Sequence, residues 1–253
     1  MPAIEVAEQD GVGSDGVPRP TEDYVVVLDN AVVLLDGATA PSPELPSGGW
    51  YAGLLSARLA DGLRAAPEAD LAAVLAASIA SVAEENGLRP GASPSSTVAM
   101  VRWTADRLDG LVLADSPIVV FARSGPQLLA DDRIASLRGN GELQTGRDVR
   151  LRRNAEGGFW VAEADPAAAG RAVTASWPLA VVDTVLMATD GVSTGVDDYH
   201  LFDWPQVRSL TREHGPHAVL KAVREAEEAD PHGVRWPRPK RHDDQALVVL
   251  EFR

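Results

Sequence analysis

Hydrophobic positions along the chain fall into strand-length runs and helix-length stripes, and the changes between them divide it into elements. After a Gly- and Asp-rich opening, Tyr24 to Leu28 and Ala31 to Leu35 are β-rich apolar runs separated by Asp29 and Asn30, which predicts a hairpin. Pro41 to Gly49 is rich in Pro, Ser and Gly and reads as a loop. A helical period follows from Trp50 to about Leu63. A second helix is predicted from Pro67, a residue suited to a first helical position, with Glu68 and Asp70 at the positive end of the dipole and Asn86-Gly87 as a stop. Thr97 to Trp103, Leu111 to Ala114 and Ile118 to Ala122 are strand-length runs that read as an antiparallel meander.

Arg133 to Gly158 is polar, carries Arg147, Arg150, Arg152 and Arg153, and shows no sustained period, so it reads as a mobile excursion or flap. Thr184 to Thr189 returns to strand character, Pro205 to His214 and Pro216 to Glu228 read as helices begun by proline, and Ala246 to Phe252 is the last strand. Strand clusters on either side of helix pairs, without a β-α-β rhythm or an internal repeat, favour an α+β architecture. At 253 residues a single domain over the whole chain is expected, with residues 133–158 as its excursion.

Composition then narrows the chemistry. Apolar residues make up 45% of the chain, enough for a sizeable core. A formal charge of -14 repels nucleic acid and anionic membrane surfaces, so neither is an expected partner. With no cysteine, thiolate zinc sites and cysteine nucleophiles are excluded, and any metal must be held by oxygen or imidazole. Met1 to Asp10 carries three acids and no apolar stretch, which is unlike a secretory signal. Leu71 to Ala83 is too short for a membrane span. A cytoplasmic location is the expectation.

Acidic residues recur where an apolar strand meets a loop: Glu22-Asp23, Asp36-Gly37, Asp190-Gly191 and Asp243-Asp244. A strand end fixes the backbone while the loop leaves the carboxylate uncovered, so several such ends can converge on hydrated cations. Oxygen ligands select magnesium or manganese over zinc. For any one pair alone, a solvated Asp-Gly turn is the simpler reading.

In order along the chain, these residues resemble the metal-dependent type 2C (PPM) serine/threonine protein phosphatases, as a divergent bacterial-type member. Thr21-Glu22-Asp23 is similar to the family's Asn-Glu-Asp, Leu35-Asp36-Gly37 to its first Asp-Gly, and Ser95-Ser96-Thr97 to Gly-Ser-Thr. Ala114-Asp115-Ser116 resembles Gly-Asp-Ser, Leu186 to Gly191 the apolar strand ending in Asp-Gly, and Asp243-Asp244 the closing Asp-Asn or Asp-Asp.

The resemblance implies two stacked antiparallel sheets flanked by helix pairs, and two divalent cations, Mg or Mn, at one end. It implies that Asp36 bridges both ions, that Glu22, Asp190 and Asp243 complete one of them, and that Gly37 offers its carbonyl to the other. Asp115 would hold a third, weaker ion, and Asp23 and Asp244 would orient water from behind. Asp36 and Asp190 carry the catalytic assignment. The reaction implied is hydrolysis of phosphoserine or phosphothreonine in a protein by direct attack of a metal-bridging hydroxide, with a kinase as functional partner.

Two departures stand out. Ala38-Thr39-Ala40-Pro41 occupies the place of the family's glycine pair, and Pro18 that of its phosphate-gripping arginine, with Arg19 one residue later. They leave open a small-metabolite phosphatase, or a regulatory module built on the same fold. His242 reads either as a proton donor beside Asp243 or as a surface residue in a basic turn.

Overall fold

The structure, a computed structural model describing residues 1–13, 15–38 and 44–252, contains β1 (Ala3–Gln9), β2 (Asp23–Val27), β3 (Ala31–Ala38), α1 (Gly48–Ala65), α2 (Leu71–Asn86), β4 (Ser95–Ser96), β5 (Val98–Trp103) and β6 (Arg107–Leu113). It continues through β7 (Ile118–Ala122), β8 (Gly125–Leu129), α3 (Arg133–Gly139), α4 (Gly146–Arg152), β9 (Val173–Pro178), β10 (Val182–Ala188), α5 (Asp190–Asp197), α6 (Trp204–His214), α7 (His217–Ala229) and β11 (Gln245–Glu251). One antiparallel sheet has the order β2-β3-β5-β6-β9, with β4 on β3; the other has the order β1-β11-β10-β7-β8.

The alternation of side chains along the strands decides the layers. On β3, Val33 and Leu35 face Tyr51, Leu55, Leu59, Leu75 and Ile79 of α1 and α2. Val32 and Leu34 point the other way and meet Ile118, Val185, Met187 and Val248 of the second sheet. That sheet in turn uses Phe121, Leu186, Leu247 and Val249 to cover Val192 of α5, Trp204 and Val207 of α6, and Val219 and Leu220 of α7. The result is an α-β-β-α sandwich, the arrangement implied by the resemblance.

The hairpin, the terminal strand and the four long helices fall where the pattern predicts them, but several boundaries differ. Helix α2 starts at Leu71 because the Asp70 side chain accepts a hydrogen bond from Ala73 N and caps it, leaving Pro67 in the preceding turn. Gly87 closes it in a left-handed conformation, φ 62°.

The meander is broken. β5 and β6 pair with each other, whereas β7 pairs with β10 and β8 in the opposite sheet. Ala114, at φ 70°, makes the corner, its N–H held by the Asp131 carboxylate at 3.1 Å. Short helices α3 and α4 lie in the stretch 133–158 where no period is visible. A reciprocal cap between Thr145 and Asp148 stabilises α4. Strands β1, β8 and β9 and helix α5 are further elements that the pattern did not reveal. Residues 39–43, which include the altered sequence after Gly37, lie outside the described residues. No helix among the described residues is long and apolar enough to cross a membrane.

Candidate metal centre

Antiparallel register brings the acidic strand ends to one edge of the sandwich. Asp23, which begins β2, pairs with Asp36 near the end of β3. Met187 near the end of β10 is flanked by Ile118 at the start of β7 and Val248 near the start of β11. The β6–β7 corner with Asp115, the β10–α5 junction with Asp190, and the approach to β11 with Asp243 and Asp244 therefore adjoin.

Hydroxyls lock these ends together. Asp36 N donates to Thr97 Oγ1 at 3.0 Å, Ser96 Oγ donates to the Asp36 carbonyl at 2.9 Å, and Thr97 Oγ1 lies 2.7 Å from Ser116 Oγ beside Asp115. On the other side, Thr189 Oγ1 donates to Asp23 Oδ2 and accepts from Ala246 N, both at 2.9 Å. The Ser-Thr and Thr-Asp dipeptides of the sequence thus serve as clamps on the carboxylate-bearing backbone.

Gly37 is required by packing. A Cβ there would lie 2.5 Å from the carbonyl carbon of Gly48 and 2.9 Å from the Glu22 carbonyl oxygen. Gly48 and Gly49 open α1 against this strand, so a glycine pair does stand beside Asp36-Gly37, supplied by the start of the helix.

Asp36, Asp115, Asp190 and Asp243 act on one another electrostatically. Burial, then the charges of Asp23, Asp190, Asp243 and Asp115, push the Asp36 carboxyl well above its ordinary range. Burial, then Asp243 and Asp115, raise Asp190 to about 7, while a hydrogen bond from Asp36 opposes the rise. Asp115 is raised chiefly by burial. Asp23 is raised well above its ordinary range by burial, and its Oδ1 is buried without a hydrogen-bond partner.

Glu22 is placed differently: its Oε1 accepts from Gly49 N at 3.2 Å, at the positive end of α1. Asp244 ties down the β1–β2 connection, accepting from Gly11 N at 2.6 Å and Glu22 N at 3.1 Å. Arg19 turns to Asp15 at 3.0 Å on the surface. His242 is buried rather than exposed, its Nδ1 2.8 Å from Glu227 Oε2.

Two cations beside the acids were not singled out in the sequence. Arg138 of α3 opposes the rise of Asp115 and Asp190. Lys240 pairs with Asp243 at 2.8 Å, and its position three residues before that aspartate was the signal available.

The donor set is all oxygen and strongly anionic, and its mutual repulsion and the orphaned Asp23 Oδ1 are what a divalent cation would relieve, so the residues fit such ions in chemistry and charge. Among the described residues, no three Asp, Glu or His side chains already surround a common point.

No protein-family model matches the chain, and no curated protein matches it. Solved structures do match over nearly the whole length. The catalytic domain of the serine/threonine phosphatase PstP, in complex with two manganese ions, matches at 15% identity with a TM-score of 0.63 over 99% of this chain and 97% of that one. The PPM phosphatase MsPP from Mycobacterium smegmatis matches at 16% identity and a TM-score of 0.60, over 99% and 98%. Stp1 from Staphylococcus aureus matches at 14% identity and 0.64, over 100% and 96%. By the likeness of layers and coverage alike, this chain has the fold of the PPM serine/threonine phosphatases.

Proposed function

We propose that the chain is a divergent PPM-family phosphatase that removes phosphate from phosphoserine and phosphothreonine of cytoplasmic proteins, opposing a kinase, with two divalent cations, Mg or Mn. The observation that carries this reading is the antiparallel register, which sets the strand ends next to Asp36, Asp115, Asp190 and Asp243 beside one another at one edge of the sandwich. A purely structural role gives no reason to bring several carboxylates to one edge.

In this reading Asp36, Glu22, Asp190, Asp243 and the Gly37 carbonyl would hold the two ions, and Asp115 would support a third, weaker one. When bound, the ions would acidify water and neutralise phosphoryl oxygens, with no covalent phosphoenzyme. The protein's own part is placement. Ser96 and Thr97 fix the Asp36 backbone, Thr189 fixes the strand end before Asp190, and Asp244 fixes the chain before Glu22.

The rival readings, a small-metabolite phosphatase and a regulatory module, part on a substrate panel. With saturating Mn, a phosphothreonine peptide should be hydrolysed with higher kcat/KM than sugar phosphates or an aryl phosphate. Preference for a sugar phosphate would select the metabolite reading, and inactivity on all of them the regulatory one.

A further inference from the structure

Lys240 sits in the connection that leads from α7 to β11, and that connection is anchored on both sides of it. Before it, Arg238 donates to the carbonyls of Glu227 and Asp230 and pairs with Asp230 Oδ2 at 3.3 Å. After it, the buried His242 is held by Glu227 at 2.8 Å. Between these anchors, with Pro239 limiting the backbone, the Lys240 ammonium meets Asp243 Oδ1 at 2.8 Å.

The Lys240 side chain is 22% exposed and that of Asp243 34%. The pair is therefore shielded more than a surface ion pair, yet open enough to separate. Burial would lower the lysine pKa, but the charges of Asp243, Asp244 and Asp36 outweigh it and hold the ammonium protonated. One positive charge is thus fixed against Asp243, an acid assigned above to a cation.

We propose that Lys240 is a tethered counter-cation that holds Asp243 in the metal-free protein and must be displaced by a divalent cation, so that it sets the metal concentration at which the centre fills. This inference rests on the metal-dependent reading above. An ammonium compensates one negative charge and makes short-range contact with one carboxylate, whereas a dication compensates two charges and takes six or more oxygens. Exchange is therefore favourable, but the ion that Asp243 completes must first break the 2.8 Å pair.

The test is calorimetric titration of Mn into full-length protein stripped of metal, for the parent, Lys240→Met, Lys240→Arg and Arg241→Met, with metal-free melting as a second readout. Lys240→Met should bind Mn about tenfold more tightly, one pKa unit's worth of opposing charge, while its metal-free form melts lower than the parent. Lys240→Arg should stay close to the parent, and Arg241→Met, which alters the exposed neighbouring cation, should change neither readout. Failure of Lys240→Met to fold without metal, with rescue by Mn, would also support the exchange. Equal or weaker Mn affinity in Lys240→Met, beside a parent that binds normally, overturns the inference and leaves the metal-dependent reading standing. An equal tightening in Arg241→Met overturns it too, because bulk charge would then suffice. Absence of Mn binding in every variant overturns both.

Discussion

Replacing Asp190 by Asn removes the carboxyl whose pKa the fold raises from 3.8 to about 7. A folded-state pKa above the unfolded value means that the native chain keeps a proton the unfolded chain has released. Its contribution to stability is therefore lost as pH rises from about 4 through 7. Fully ionised, the shift corresponds to about 4 kcal/mol, at about 1.4 kcal/mol for each tenfold change in acidity. Because Asp190 titrates together with the neighbouring Asp243 and Asp115, only part of that, roughly half, belongs to Asp190 alone. Asp190→Asn should accordingly stabilise the metal-free protein by about 2 kcal/mol at pH 8, or about 4–8 °C in melting temperature for a chain of this size. The gain should shrink toward zero near pH 4. Thermal unfolding in the presence of chelator, at several pH values, measures it. A metal-free variant that melts below the parent at pH 8, or a difference that does not change with pH, would refute the reasoning.

Asp36→Asn should abolish turnover and cut Mn stoichiometry, whereas Asp29→Asn, in the β2–β3 turn, should leave both near parental; phosphate release and calorimetry report this. Gly37→Ala should destabilise by about 1–3 kcal/mol, because the new Cβ meets the backbone of Gly48 and Glu22; urea unfolding measures it. Thr189→Val leaves Asp23 Oδ2 and Ala246 N without their hydroxyl partner and should lose about 2–4 kcal/mol in the same assay.

Periodicity made the core legible. Val32 to Leu35 alternate between two apolar layers, and their run is unmistakable in the sequence; α1, α2, α6 and α7 carry long apolar stripes. The missed elements lack such signals. β8 contains Pro126 and Gln127 and is largely exposed along Gly125–Leu129, while α5 begins with Asp190-Gly191, a pair that reads as a turn. The crossover between β6 and β7 depends on a positive φ at Ala114, and nothing in an alanine announces it.

The acids were legible because each follows or precedes an apolar strand. Their adjacency came from register, which local pattern does not state. Sequence spacing treats Glu22 and Asp23 as one unit, yet Glu22 binds the start of α1 while Asp23 is buried beneath Thr189. The anchoring of His242 and Lys240 depends on Glu227 and Asp230 at the end of α7, contacts that only the fold brings together.

The most direct test of the central claim is phosphate release from a phosphothreonine peptide by chelator-treated, dialysed protein as Mn is added back. The account predicts no turnover without metal, saturable recovery with Mn, and renewed loss on adding chelator. Turnover that persists in metal-free protein, verified by elemental analysis, would contradict it, as would inactivity at saturating Mn in protein that demonstrably binds the ion.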